Sequence, residues 1–320
     1  MHLSYAGPDL SARQKRLVKA IEWLSRGRGI SAVRQRFVDN ANDETFFRRA
    51  AAAFDLKPTV WFAPRAYIPA QGPLLVVANH PYGVVDGLAI SAMLESVRPD
   101  IRIIVWNAIG LPPSASHFMP LDLSEHNGSV ARRQNVDIRR KATAHLRNGG
   151  CVVLFPSGSA EITAHPLARP AEAPWTPLAC KLALKSGATI LPVFVHGHNS
   201  RLFHAASHMG DLVRRSLFLT ETRRKIGARI PCRIGEPLLN ARLQQMHAEE
   251  ACSTRQMAAR LREMTLQLGK LTAPAHQWTR ALTFRQGIAS RSAPSFSTGI
   301  RSSLVTPICN TISLATKMEE

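Results

Sequence analysis

Long apolar runs are missing from this chain of 320 residues. None approaches the roughly 18 residues that a membrane-spanning helix needs. The amino terminus also lacks the hydrophobic centre of a secretory signal, so the expectation is a soluble protein or one resting on a membrane surface. Cysteine is scarce and odd in number, at positions 151, 180, 232, 252 and 309. These spacings fit neither a disulfide framework nor a paired zinc pattern, and they point to a reducing cytoplasm. Aromatic residues make up only 6% of the chain. No helix-turn-helix, zinc-finger or ribonucleoprotein spacing accompanies them, so no nucleic-acid partner is expected. No internal repeat with a period of about 20 to 50 residues is visible. Acidic residues are short as well, with 22 Asp and Glu against 41 Lys and Arg and a formal charge of +19. Such a chain is drawn to anionic surfaces, and lipid is the better partner once nucleic acid is disfavoured.

Among what is present, the segment Asn79-His80-Pro81-Tyr82-Gly83-Val84-Val85-Asp86-Gly87 stands out. Before it, Leu74-Leu75-Val76-Val77-Ala78 is a short apolar run after Gly72-Pro73, the signature of a buried strand in a parallel sheet. Beyond Gly83 the spacing of Val84, Leu88 and Ala92 predicts a helix with one apolar face. His80 and Asp86 therefore sit just past the carboxyl end of a strand, where open α/β sheets gather their sites. A His held through one ring nitrogen by an Asp can use the other as a general base. A lone His more often caps a helix, but the carboxylate at short range favours the chemical reading.

A second turn repeats this layout. Cys151-Val152-Val153-Leu154-Phe155 follows Gly149-Gly150 and runs into Pro156-Ser157-Gly158-Ser159. Gly158 lets backbone approach a ligand, and the amide and hydroxyl groups can make an anion-binding concavity. An ordinary Ser/Gly turn is equally compatible with the pattern. A hydrolase elbow is not matched, because Phe155 stands where its first Gly belongs, so Ser157 and Ser159 are expected as ligands and not nucleophiles.

Together the two loops resemble the glycerolipid acyltransferase superfamily, which includes lysophosphatidic acid acyltransferases. That family carries a His and Asp separated by four residues, a Phe-Pro-Glu-Gly-Thr-Arg loop and a strand with a central Pro. The counterparts are His80 and Asp86, Phe155-Pro156-Ser157-Gly158-Ser159, and Ile190-Leu191-Pro192-Val193, a match over roughly 60–240. Two departures are visible: five residues separate His80 from Asp86, and Ser157 and Ala160 replace the Glu and Arg of the loop. The longer spacing, the Asn79-His80-Pro81 start and Gly197-His198-Asn199-Ser200-Arg201 are similar to a haemolysin-like branch associated with ornithine-lipid or lysophospholipid acylation. The extra residue is tolerable in the Gly83 loop, whereas inside a helix it would turn Asp86 by about 100°.

The remainder is expected to be scaffold. Strands are predicted over 101–105, 190–195 and 230–234, and helices over 130–146 and 178–185, the last stopped by Gly187. Alternating strands and helices imply an α/β fold with a mainly parallel central sheet flanked by helices. Pro192 is expected to place its strand at an edge or a bulge. The helix over 130–146 carries Arg132 and Arg133, candidates for a phosphate of the acyl carrier or a solvated face. The domain reading is an N-terminal helical segment 1–58, a core 59–240, a C-terminal helix 241–284 and a disordered tail 285–320 rich in Ser, Thr, Arg and Pro. Within 11–25, Leu17, Ile21 and Leu24 share one side with Val18 adjacent, beside Arg13, Lys15, Arg16 and Lys19. Such a helix can lie in a headgroup layer or pack on its own domain. His196, His198, His204 and His208 lack the Glu or Cys partners of a zinc site, so no metal is expected.

The function these features imply is transfer of an acyl group from acyl-CoA or acyl carrier protein to the hydroxyl of a lysophospholipid or lyso-ornithine lipid. His80 and Asp86 would be catalytic. Asn79, Gly83, Phe155, Pro156, Ser157, Gly158, Ser159, Arg132 and Arg133 would bind substrate. No cofactor is expected beyond the acyl donor, and the protein would sit peripherally on the inner face of the cell membrane. A catalytically silent lipid-binding module and a thioesterase are the alternatives.

Overall fold

The computed structural model describes residues 10–25, 27–39, 45–106, 116–122, 128–166, 168–248 and 252–271. The tail expected over 285–320 and the end of the 241–284 extension lie outside these residues. In chain order the elements are α1 (Ala12–Ser25), α2 (Gly27–Asp39), α3 (Phe46–Ala53), β1 (Lys57–Phe62), β2 (Leu74–Ala78), α4 (Val84–Leu94), β3 (Ile101–Trp106), β4 (Phe118–Leu121), α5 (Gly128–Arg147), β5 (Cys151–Leu154), α6 (Leu178–Ser186), β6 (Thr189–Val195), α7 (Arg201–Ser207), α8 (Asp211–Arg224), β7 (Arg229–Ile234), α9 (Asn240–Ala248) and α10 (Thr254–Leu268). The seven strands form one sheet in the order β1-β7-β6-β2-β5-β3-β4. Strands β2 to β6 run parallel, while β7 is antiparallel to β6 and carries β1 with it. The mainly parallel α/β sheet expected from the sequence is present.

β2 and β5 are buried at every residue, which is why they read as continuous apolar runs without alternation. On one face Val76, Ala78, Val153 and Leu191 pack against Val85 and Leu88 of α4 and Phe47 of α3. On the other, Leu75, Val77, Val152 and Ile190 meet Ala142 and Leu146 of α5, Leu182 of α6, Leu243 of α9 and Leu261 of α10. Below the sheet, the fully buried Arg98 side chain gathers loops that enter it. Its guanidinium donates to Pro69 O, Gly72 O and Gly149 O at 3.2, 3.0 and 2.6 Å and pairs with both oxygens of Asp100.

Several expectations are corrected. Pro192 does not place β6 at an edge, since β6 lies between β2 and β7. The carbonyl of Pro192 accepts the Gly235 N–H at 2.8 Å, so its missing donor faces the very end of β7 and costs a single ladder bond. The true edges, β1 and β4, went unforeseen. Each has one neighbour and carries a proline, Pro58 or Pro120, which only an edge tolerates freely. Helix α4 buries every residue from Val85 to Leu94, not one face, because α3 covers its outer side. The extension read as one helix is two, α9 and α10. The second restarts at Ser253, whose hydroxyl accepts the Gln256 N–H while the Gln256 side chain returns to the Ser253 N–H. In α1, Val18 is buried against Ala160, Phe203 and Phe218, whereas Leu17 is half exposed. That helix packs on α8 of its own protein.

Candidate active site

The chain leaves β2 at Asn79, whose side chain spans the sheet to β6. Its amide donates to Val195 O at 2.9 Å and its oxygen accepts the Val195 N–H at 2.7 Å. Both polar ends of this fully buried residue are thus spent on joining two strand ends. Four residues later the backbone turns at Gly83, with φ of +94°, and α4 begins at Val84. The additional residue between His80 and Asp86 is therefore absorbed in the turn and not in the helix. Asp86, in the first turn of α4, points back. Its Oδ2 accepts the N–H groups of Tyr82 at 2.9 Å and Gly83 at 3.0 Å, which is favourable at a helix amino terminus.

The same Oδ2 lies 2.9 Å from His80 Nδ1. This contact is short but bent, because the oxygen lies away from the direction in which Nδ1 carries its hydrogen. Such bonds commonly tighten when substrate binds. The carboxylate side chain is sealed from solvent, whereas the imidazole is 18% exposed. Phe155, the first residue after β5, stacks on the imidazole with ring centroids 4.0 Å apart. Around the pair, Tyr82 donates its hydroxyl to His196 O at 3.0 Å, and burial, reinforced by Asp86, pushes its pKa up to about 12. Lys225 lies over the Tyr82 ring at 4.2 Å.

The turn after β5 is held tightly. Gly158, at φ of +72°, donates its N–H to Phe155 O at 3.0 Å, and the Ser157 hydroxyl donates to Ser159 O at 3.0 Å. Pro156 O accepts both the N–H and the hydroxyl of Thr176. Gly158 is exposed and Ser157 and Ser159 are half-buried, so the turn stays open to a ligand. Arg132 and Arg133 are not brought to the dyad. Both are exposed on α5, which covers the opposite face of the sheet from α4.

Two acidic residues escaped the sequence reading. Glu161, whose N–H donates to His80 O at 2.9 Å, is only 9% exposed; burial first, then Glu172 and Asp86, push its carboxyl up to about 7. Glu172 is 4% exposed and accepts the His80 N–H. Glu161 stands just past the Ser-rich turn, but nothing in its spacing signals burial. Of the histidines, His208 bonds the Thr163 hydroxyl at 2.8 Å, and His204 is buried on α7 beside Phe203. Among the described residues no three His, Cys, Asp or Glu side chains converge as metal ligands.

A strand-end imidazole backed by a buried carboxylate is the equipment of an acid–base enzyme. Residues 61–196 match the Acyltransferase family model, and they include His80, Asp86 and the Phe155 turn. This segment is an acyltransferase domain. Among solved structures it is similar to the crystal structure of the 1-acyl-sn-glycerophosphate (LPA) acyltransferase PlsC from Thermotoga maritima. The identity is 16%, over 84% of this chain and 91% of that chain, with a TM-score of 0.44. No curated protein matches the chain.

Proposed function

We propose that the enzyme transfers a fatty acyl group from acyl-CoA or acyl carrier protein to the hydroxyl of a lysophospholipid or lyso-ornithine lipid. The observation that carries this reading is the 2.9 Å approach of His80 Nδ1 to a sealed Asp86 carboxylate, beside an imidazole that reaches solvent. His80 takes the acceptor proton as the oxygen attacks the thioester carbon. The resulting imidazolium, steadied by Asp86, returns that proton to the departing thiolate. No covalent enzyme intermediate is required. The turn from Phe155 to Ser159 holds the acceptor head group or the developing oxyanion, where one well-placed donor contributes about 3 kcal/mol. Any contact of Arg132 or Arg133 with phosphate of the carrier would lie away from the dyad, since both are exposed on α5 across the sheet from α4.

The working surface is an anionic membrane, at its inner face. In support, α1, α7 and α8 pack together, and Leu17, Leu202 and Met209 stand exposed on or beside them among basic residues. No helix among the described residues is long and apolar enough to cross a membrane. Four cysteines, Cys151, Cys180, Cys232 and Cys252, are unpaired, in keeping with a reducing compartment.

The test is a radiolabelled acyl-transfer assay with thioester donor and lysolipid acceptor. Transfer should be lost in His80→Ala, and retention of activity by that variant would refute the base. Thiol release without acceptor would instead favour a thioesterase. Vesicle binding with no thiol release would favour a silent module.

A further inference from the structure

Glu172 lies far from the dyad in sequence, in the segment that returns from the Ile162–Ala171 bridge toward α6. Its carboxylate is engaged at both oxygens. Oε2 accepts the His80 main-chain N–H at 3.0 Å, and Oε1 accepts the indole N–H of Trp175 at 2.9 Å. Its own carbonyl and that of Ala173 accept from the guanidinium of Arg262 on α10. In the next peptide unit, His80 O accepts the Glu161 N–H at 2.9 Å. Main-chain donor and acceptor of His80 are therefore both held by one segment, which Thr176 fastens to Pro156 and Arg262 fastens to the C-terminal helix.

We propose that Glu172 is a positioning residue for His80: it holds the main chain of the base, as Asp86 holds its ring, and Arg262 of α10 steadies Glu172 in turn. The inference rests on the reading of His80 as the base. A carboxylate is an expensive choice for this place, since burial disfavours its charge and raises its pKa against the pull of the His80 and Trp175 donors. Space filling alone would be better served by an apolar side chain. What the carboxylate supplies is two acceptor oxygens aimed at two fixed N–H groups, one belonging to the residue whose placement sets the rate. Displacement of a catalytic group by about 1 Å costs roughly a hundredfold.

The test uses the full-length enzyme with His80→Ala assayed in parallel. Glu172→Gln keeps the shape but leaves one of the two N–H donors facing an –NH2 group. We expect kcat to fall about 30- to 100-fold, with the acceptor KM changed less than about threefold. Hydrogen exchange at the His80 amide, followed by NMR, should accelerate about tenfold or more as its acceptor weakens. In Glu172→Gln with Trp175→Phe the competing donor is gone, so the Gln oxygen can serve His80 and part of the lost kcat should return. A purely structural role predicts the opposite, with the two changes adding. Near-normal kcat and unchanged exchange in a folded Glu172→Gln, beside an inactive His80→Ala, would overturn this proposal alone. An active His80→Ala would remove the reading beneath it, whatever the exchange data showed.

Discussion

Asp86→Asn probes the dyad sharply because the structure dictates which way the new amide must face. Two main-chain donors, Tyr82 at 2.9 Å and Gly83 at 3.0 Å, converge on Oδ2. They force the Asn carbonyl oxygen into that position, so His80 keeps the same neighbouring atom and loses only its charge. The new –NH2 falls where Oδ1 was, a buried place without a hydrogen-bond partner. That orphaned donor should lower stability by about 1–3 kcal/mol. The kinetic loss is larger. An ion pair at 2.9 Å that forms as the imidazole takes its proton is replaced by a neutral contact. At an effective dielectric near 20 the full ion pair is worth about 6 kcal/mol; with about half of this kept by the Asn carbonyl dipole facing the imidazolium, the loss is about 3 kcal/mol, roughly a hundredfold in rate. The assay is kcat and KM for acceptor-dependent thiol release, beside urea unfolding of the same preparation. We expect kcat to fall about a hundredfold with little change in KM. A folded Asp86→Asn variant within about threefold of the native rate would show that the carboxylate's charge does not assist the base.

Two further perturbations test the surroundings of the dyad. Glu161, raised from 4.5 to about 7, binds its proton more tightly in the native than in the unfolded state. Its contribution to stability is therefore fully present below pH 4.5 and is lost as pH rises to about 7, a change of about 3 kcal/mol. Glu161→Gln mimics the protonated form, so its stability relative to the native protein in urea should improve from about pH 5 to pH 8; a difference independent of pH would contradict the assignment. Gly197, at φ of +109°, would place a Cβ 1.7 Å from the Tyr82 hydroxyl oxygen. Gly197→Ala should therefore destabilise by about 3 kcal/mol or more and slow turnover by shifting the turn that holds Asp86. An unchanged melting temperature would mean that Tyr82 moves aside freely.

Much of the site was legible because its determinants are local. His80, Gly83 and Asp86 belong to one strand–turn–helix passage, and the Gly83 turn that accommodates the extra residue is marked by the glycine itself. Pro192 misled because proline reports only a missing donor, and whether that donor was needed depends on where β7 ends. The roles of Asn79 and Glu172 were not legible, since their hydrogen bonds cross to Val195 and His80 over sequence separations of 116 and 92 residues.

By itself the sequence determined the buried strands β2 and β5, the α/β alternation and a base and acid on one short connection. Apolar runs, glycines and side-chain spacing act over a few residues, and they carry that much. Only the tertiary structure decided the placement of β6 inside the sheet, the enclosure of α4 by α3, and the meeting of Phe155, Glu161 and Glu172 around His80. Those outcomes follow from which distant segments share the carboxyl end of one sheet, and no local periodicity encodes the order in which strands come to lie side by side.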